Sequence, residues 1–113
     1  MTFSILARNP ETGEIGGAAA TGNLCVGGWV LRGDIKKGVT ASQGFYPSTI
    51  WGENILNNLN KYSPTTATNK VIKNDKQKHY RQVACLNLSG KGFSFTGNKN
   101  TKYFNHIVLP NLV

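Results

Sequence analysis

At 113 residues with 39% hydrophobic side chains, the chain has room for one domain with a modest core. Its net charge of +8 comes from one half: Lys and Arg balance Asp and Glu through residue 60, while residues 61–113 carry nine basic side chains against Asp75 alone. No apolar run reaches transmembrane length, and two cysteines exclude a disulfide framework.

Thr2 follows the initiator methionine and opens a strand. Methionine is normally trimmed before a residue as small as threonine. The mature chain would then carry an α-amine and a β-hydroxyl on one residue, a nucleophile with its own base. The α-amino group titrates near pH 8, about where a base for a hydroxyl proton is needed. Phe3, Ile5 and Ala7 alternate with Thr2, Ser4 and Leu6, which predicts a strand with at least one buried face. Asn9-Pro10-Glu11-Thr12-Gly13 is a turn, because Pro10 pre-sets one dihedral and Gly13 accepts a positive φ. Glu14 to Thr21 is a small-residue partner strand that lets another backbone or a substrate approach closely. The expected hairpin holds Thr2 at its tip, tied into a sheet.

Leu24 to Leu31 is an apolar run interrupted by Gly27-Gly28, read as a bent strand or tight loop rather than a helix. Trp29 in it is expected to fill the core, with a pocket wall as the alternative. Arg32-Gly33-Asp34 reads as a turn, and an adhesion role for that tripeptide has no extracellular context to support it. Val39 to Gln43 is a strand entered through Lys36-Lys37-Gly38. Pro47-Ser48-Thr49 opens a helix whose apolar stripe is Trp51, Ile55, Leu59 and Tyr62. Asparagines occupy its wet side and are poor helix formers, so packing must hold it. Ser63-Pro64 starts a second helix, as N-cap and first-turn proline, carrying Ala67 and Val71 and ending near Asn74. After the basic linker Lys73 to His79, Tyr80 to Leu88 and Phe93 to Gly97 form a hairpin across Ser89-Gly90-Lys91-Gly92. Cys25 and Cys85 read as two small buried hydrophobes.

The opening Met1-Thr2-Phe3-Ser4-Ile5 with its Pro10-Glu11-Thr12-Gly13 turn resembles domain-of-unknown-function family 1028, of the Ntn-hydrolase-like superfamily. Gly38-Val39-Thr40-Ala41-Ser42-Gln43, Arg81-Gln82-Val83 and Phe95-Thr96-Gly97 are similar to later family motifs, in the right order. The resemblance implies an α+β fold with the αββα layers of N-terminal nucleophile hydrolases. The family domain is longer, so the chain matches its N-terminal half, a single domain over 1–113 that is incomplete at its C-terminal end. An incomplete sandwich leaves apolar faces open, which favours a homo-oligomer or a complementing chain.

Such a site needs a nucleophile, its amine, a group that tunes the amine and an oxyanion hole. Thr2 supplies the first two. Thr21, Ser42 and Gln43 are the candidates for tuning and orientation, and since Ser42 and Gln43 point to opposite faces, only one is expected to reach Thr2. Lys36 or Lys37 is a weaker candidate, as is His106; His79 reads as a solvated surface residue. Backbone N–H groups near Gly27-Gly28 or Gly44 are candidate oxyanion donors. No metal spacing, phosphate loop or dinucleotide fingerprint is present, so no cofactor is expected. The expected function is hydrolysis of an amide or peptide-like bond through Thr2, on a small-molecule or peptide substrate. The alternatives are an inactive truncated member serving as a fragment or subunit, and a small basic nucleic-acid-binding protein using Lys73, Lys76 and Lys78. With no signal peptide and no membrane span evident, a cytoplasmic location is expected.

Overall fold

Strands β1 (Thr2–Arg8) and β2 (Ile15–Thr21) pair antiparallel, with Thr2 opposite Thr21. The computed structural model describes residues 1–113. In the turn between them, Asn9 Oδ1 accepts from the Glu11 and Thr12 N–H groups, and Gly13 takes φ 79°. Period two turns Thr2, Ser4, Leu6 and Arg8 inward and Phe3, Ile5 and Ala7 outward. Leu6 is fully buried, whereas Phe3 is 71% and Ile5 48% exposed. The buried face of β1 is therefore the one carrying Thr2.

The second sheet is antiparallel, in the order β3 (Leu31–Asp34), β4 (Gly38–Gly44), β5 (Arg81–Asn87), β6 (Gly92–Thr96). Its central strands are buried on both sides and sort their residues by parity. Val39 and Ala41 of β4 and Leu86 of β5 pack toward Leu6 and the hairpin. Val83 and Cys85 of β5 face the helices α2 (Thr49–Asn58) and α3 (Pro64–Ile72), against Trp51, Ile55, Leu59 and Ala67. Polar residues of β4 on this side also fasten the helix layer. The Thr40 hydroxyl donates to Gly52 O and the Ser42 hydroxyl to Ser48 O. Ser63 caps α3 as expected, its Oγ accepting from the Thr66 N–H at 3.2 Å.

The layers are thus helices, four-stranded sheet and two-stranded hairpin: a mixed α/β domain with two antiparallel sheets and three helices. Residues beyond Leu109 add to β1, with Leu6 N–H donating to Val113 O and Val113 N–H to Leu6 O. No helix is long and apolar enough to cross a membrane.

Four local expectations are corrected. Val26–Val30 forms a short helix, α1, across Gly27-Gly28, rather than a bent strand or loop. Its only buried residue is Val30; Trp29 lies 57% exposed and Cys25 is also exposed, so neither is a core residue. Cys25 adopts a left-handed φ of 58° just before the helix. Arg32-Gly33-Asp34 is strand β3 instead of a turn, paired in register with Gly38, Val39 and Thr40.

A candidate active site at the tip of the first strand

The Thr2 side chain is half-buried at the end of β1 and bonded to its cross-strand partner. Thr2 Oγ1 donates to Thr21 Oγ1 at 3.0 Å, and the Thr21 hydroxyl donates in turn to Met1 O at 3.1 Å. The register that pairs Thr2 with Thr21 makes this contact unavoidable on the inward face. Thr21 therefore sits beside both the Thr2 hydroxyl and the peptide group whose nitrogen becomes the α-amine when Met1 is removed.

From the four-stranded sheet, Gln43 reaches across to the same residue. Its Nε2 donates to Thr2 O at 3.2 Å and to Gln82 Oε1 at 2.7 Å. Gln82 Nε2 donates to Thr96 Oγ1 at 2.8 Å and to Asn105 O at 2.9 Å. Thr96 Oγ1 lies 2.8 Å from His106 Nδ1. Strand register explains this row, because Gln43 lies opposite Gln82 and Gln82 opposite Thr96. The two backbone carbonyls can only accept, so each fixes the orientation of the amide that donates to it. Which of Thr96 Oγ1 and His106 Nδ1 donates depends on the imidazole tautomer.

One atom is excluded from this network. Gln43 Oε1 is buried and has no hydrogen-bond partner, and the residue as a whole is 6% exposed. An unmet buried carbonyl oxygen costs about 1–3 kcal/mol, so its presence calls for an explanation.

Thr2, Gln43, Gln82 and His106 line one cleft of about 350 Å³ between the hairpin edge and the four-stranded sheet. Asn100, Thr101 and Tyr103 to Ile107 form one wall, and Asn100 ties that wall down. Its Nδ2 donates to Gly97 O and Arg81 O, and its Oδ1 accepts from Phe45 N–H. Gly44, also in the lining, takes φ 126°; a Cβ there would lie 2.7 Å from Tyr80 O, so only glycine fits.

The family model described as a family of unknown function, DUF1028, matches residues 2–113. The chain belongs to the DUF1028 family. A crystal structure of a DUF1028 protein from Silicibacter pomeroyi superposes with a TM-score of 0.95 at 51% identity. The alignment covers 98% of this chain and 50% of that one, so the chain spans about half the length of the protein it matches. Among the curated proteins nothing matches.

Of the residues singled out in this DUF1028 chain, Thr2, Thr21 and Gln43 come together, as the hydrogen bonds above show. Ser42 does not join them. It points into the helix layer and spends its hydroxyl on Ser48 O, because its neighbour Gln43 takes the opposite face. Lys36 and Lys37 do not line the cleft; the Lys37 ammonium binds Asp34 at 3.1 Å and Asn57 at 2.9 Å. Gly27 and Gly28 lie on α1 outside the lining, whereas Gly44 is in it. His79 is exposed and outside the cleft, and His106 is inside it. Sequence reasoning missed Gln82, Thr96 and Asn105 as site residues. A signal for Gln82 existed: it shares one face of β5 with Ala84 and Leu86, so a glutamine stands in line with core positions. A central strand with a glutamine on an inward face marks a place where the interior is wet or occupied.

Proposed function

We propose that Thr2 is the nucleophile of an N-terminal nucleophile hydrolase cleaving amide bonds, within the αββα arrangement of that superfamily. The observation that carries this reading is the fixing of Thr2 from two sheets at the head of a cleft. Thr21 holds its hydroxyl and Gln43 its carbonyl. A side chain locked by neighbouring hydrogen bonds is the preorganisation that nucleophilic catalysis requires.

The chemistry follows from the residue itself. Once Met1 is gone, the free α-amine takes the Oγ1 proton as Oγ1 attacks the carbonyl carbon of a bound amide. The tetrahedral intermediate collapses as the amine returns that proton to the leaving nitrogen. The C–N bond breaks and an ester remains on Thr2. The amine then takes a proton from water, the hydroxide adds to the ester carbonyl, and the C–O bond to Thr2 breaks. The acid leaves and the proton returns to Oγ1. Thr21 positions the hydroxyl and the nascent amine; Gln43 fixes the backbone that carries both.

The half-length match supports a second reading, in which the chain is active only with a complementing polypeptide. Phe3 and Ile5 leave the outer hairpin face apolar and open, where an αββα arrangement packs its second helix layer.

Release of amine from aryl-amide substrates tests the proposal. Hydrolysis that Thr2→Ala lowers by at least about a thousandfold, with Thr2→Ser retaining part of the rate, is expected for a lost nucleophile. Hydrolysis undiminished in Thr2→Ala would refute it.

A further inference from the structure

Phe45, which also lines the cleft, begins a cluster of rings that neither core contains. Phe45 and Tyr46 directly follow β4 and are 55% and 53% exposed. Their ring centroids lie 4.9 Å apart, edge to face, and Tyr80 meets Tyr46 the same way at 5.6 Å. Backbone bonds hold the cluster in place. Tyr46 N–H donates to Tyr80 O, Phe45 N–H to Asn100 Oδ1, and the Arg81 guanidinium to Tyr46 O. Rings fixed this way lose little conformational freedom when another flat group covers them. Tyr103, also exposed, shares the cleft lining with Phe45.

Cations flank these rings. The Lys99 ammonium lies 5.5 Å from the Tyr80 ring centroid, and Lys99 N–H donates to His79 O. That bond sets the segment after β6 beside the segment before β5. Lys76, Lys78, Lys99 and Lys102 belong to these two segments, and none of them is in an ion pair. Acidic side chains do not offset them. Asp75 is bound by Arg81 at 2.9 Å, Asp34 by Lys37 at 3.1 Å and Glu53 by Arg32 at 3.2 Å. Glu11 and Glu14 sit in the turn beyond Arg8, the length of β1 or about 20 Å from Thr2 and the cleft.

We infer that this surface binds single-stranded nucleic acid, with bases stacked on Phe45, Tyr46 and Tyr103 and phosphates against Lys76, Lys78, Lys99 and Lys102. Unstacked bases and a phosphate backbone use the rings and the lysines together. A duplex would use the lysines but keeps its base faces inside its own stack. The rings lie on loops, without the amphipathic helix that seats a basic protein in a lipid surface. This binding is independent of Thr2 and of any hydrolysis.

The test titrates the full 113-residue protein into fluorescein-labelled oligothymidylate and reads anisotropy. A length of about twelve nucleotides falls within the site sizes of single-strand binders. Companion probes are an abasic phosphate chain of the same length, a thymidylate–adenylate duplex, and vesicles of phosphatidylcholine with phosphatidylserine. The thymidylate strand should bind at least about tenfold more tightly than the abasic chain or the duplex, the effect of about one stacked base. Its log affinity should fall against log salt with a slope of about −2 to −3, for three or four phosphates in contact. Tyr46→Ala should weaken the thymidylate strand about tenfold and leave the abasic chain unchanged. Lys99→Gln should weaken both and reduce the slope by about 0.7. Lys99 is exposed, so that result is readable even where Tyr46→Ala fails to fold. Equal binding of the abasic chain or the duplex overturns the inference, because charge alone would then account for it. So do no binding of the thymidylate strand, undiminished binding by folded Tyr46→Ala, full affinity in Lys99→Gln, and uptake by vesicles without binding of the strand.

Discussion

Thr21 has one polar role in the structure, accepting from Thr2 Oγ1 while donating to Met1 O. Thr21→Val keeps the shape and removes both contacts. It is expected to lower kcat by about ten- to a hundredfold, as loss of an orienting group does, with KM little changed. The two cysteines give a contrast that alkylation can read. Cys25 is exposed and should react in the native protein. Cys85 should react only after unfolding, because burial pushes its thiol up to about 11 from an ordinary 9.0, against the Thr68 and Phe93 hydrogen bonds that lower it. The same shift has a sign for stability. The folded state holds this proton more tightly than the unfolded chain, so its contribution is complete below pH 9 and is lost as pH rises through about 11. Chemical denaturation of Cys85→Ala against wild type across that window should show the wild type alone losing about 2–3 kcal/mol from this source.

At the scale of elements, the most legible parts of the sequence were those where one local rule acts alone. The Trp51, Ile55, Leu59 stripe and the Ser63-Pro64 start give α2 and α3 because period 3.6 and a cap are local facts. Ser63→Ala should cost about 1 kcal/mol in thermal or denaturant unfolding, the usual worth of an N-cap. Ile55→Ala, at the centre of the helix-side core, should cost about 2–5 kcal/mol. The site was legible only as far as adjacency on one strand reaches. Thr2 and Thr21 follow from the hairpin, and Gln43 from its opposition to Ser42. The continuation through Gln82, Thr96 and His106 depends on the register between β4, β5 and β6, which no periodicity within a single strand encodes. α1 escaped reading because paired glycines are poor helix residues, and tertiary context between β2 and β3 overrides that preference.

For the whole molecule, the arrangement of layers matters more than any one of them. The four-stranded sheet is covered on both faces, by α2 and α3 on one and the hairpin on the other, while the outer face of the hairpin is bare. Phe3, Ile5 and Ala7 on β1 stand opposite Ala20, Ala18 and Gly16 on β2, giving one continuous apolar surface. An apolar dye such as anilinonaphthalene sulfonate should therefore bind the native chain. Phe3→Lys with Ile5→Lys should remove most of that fluorescence without unfolding the protein. Because the same strand carries Thr2 on its other face, what covers this surface also bears on how firmly the nucleophile is held.

Catalysis by Thr2 requires that it be the true first residue and a nucleophile. Intact mass of natively expressed protein, before and after a threonine-directed β-lactone probe, measures both. The expected result is a chain lacking Met1 that takes up one probe molecule, mapped to Thr2 by peptide sequencing, with no uptake by Thr2→Ala. Retained Met1, or labelling that persists in Thr2→Ala, would contradict it.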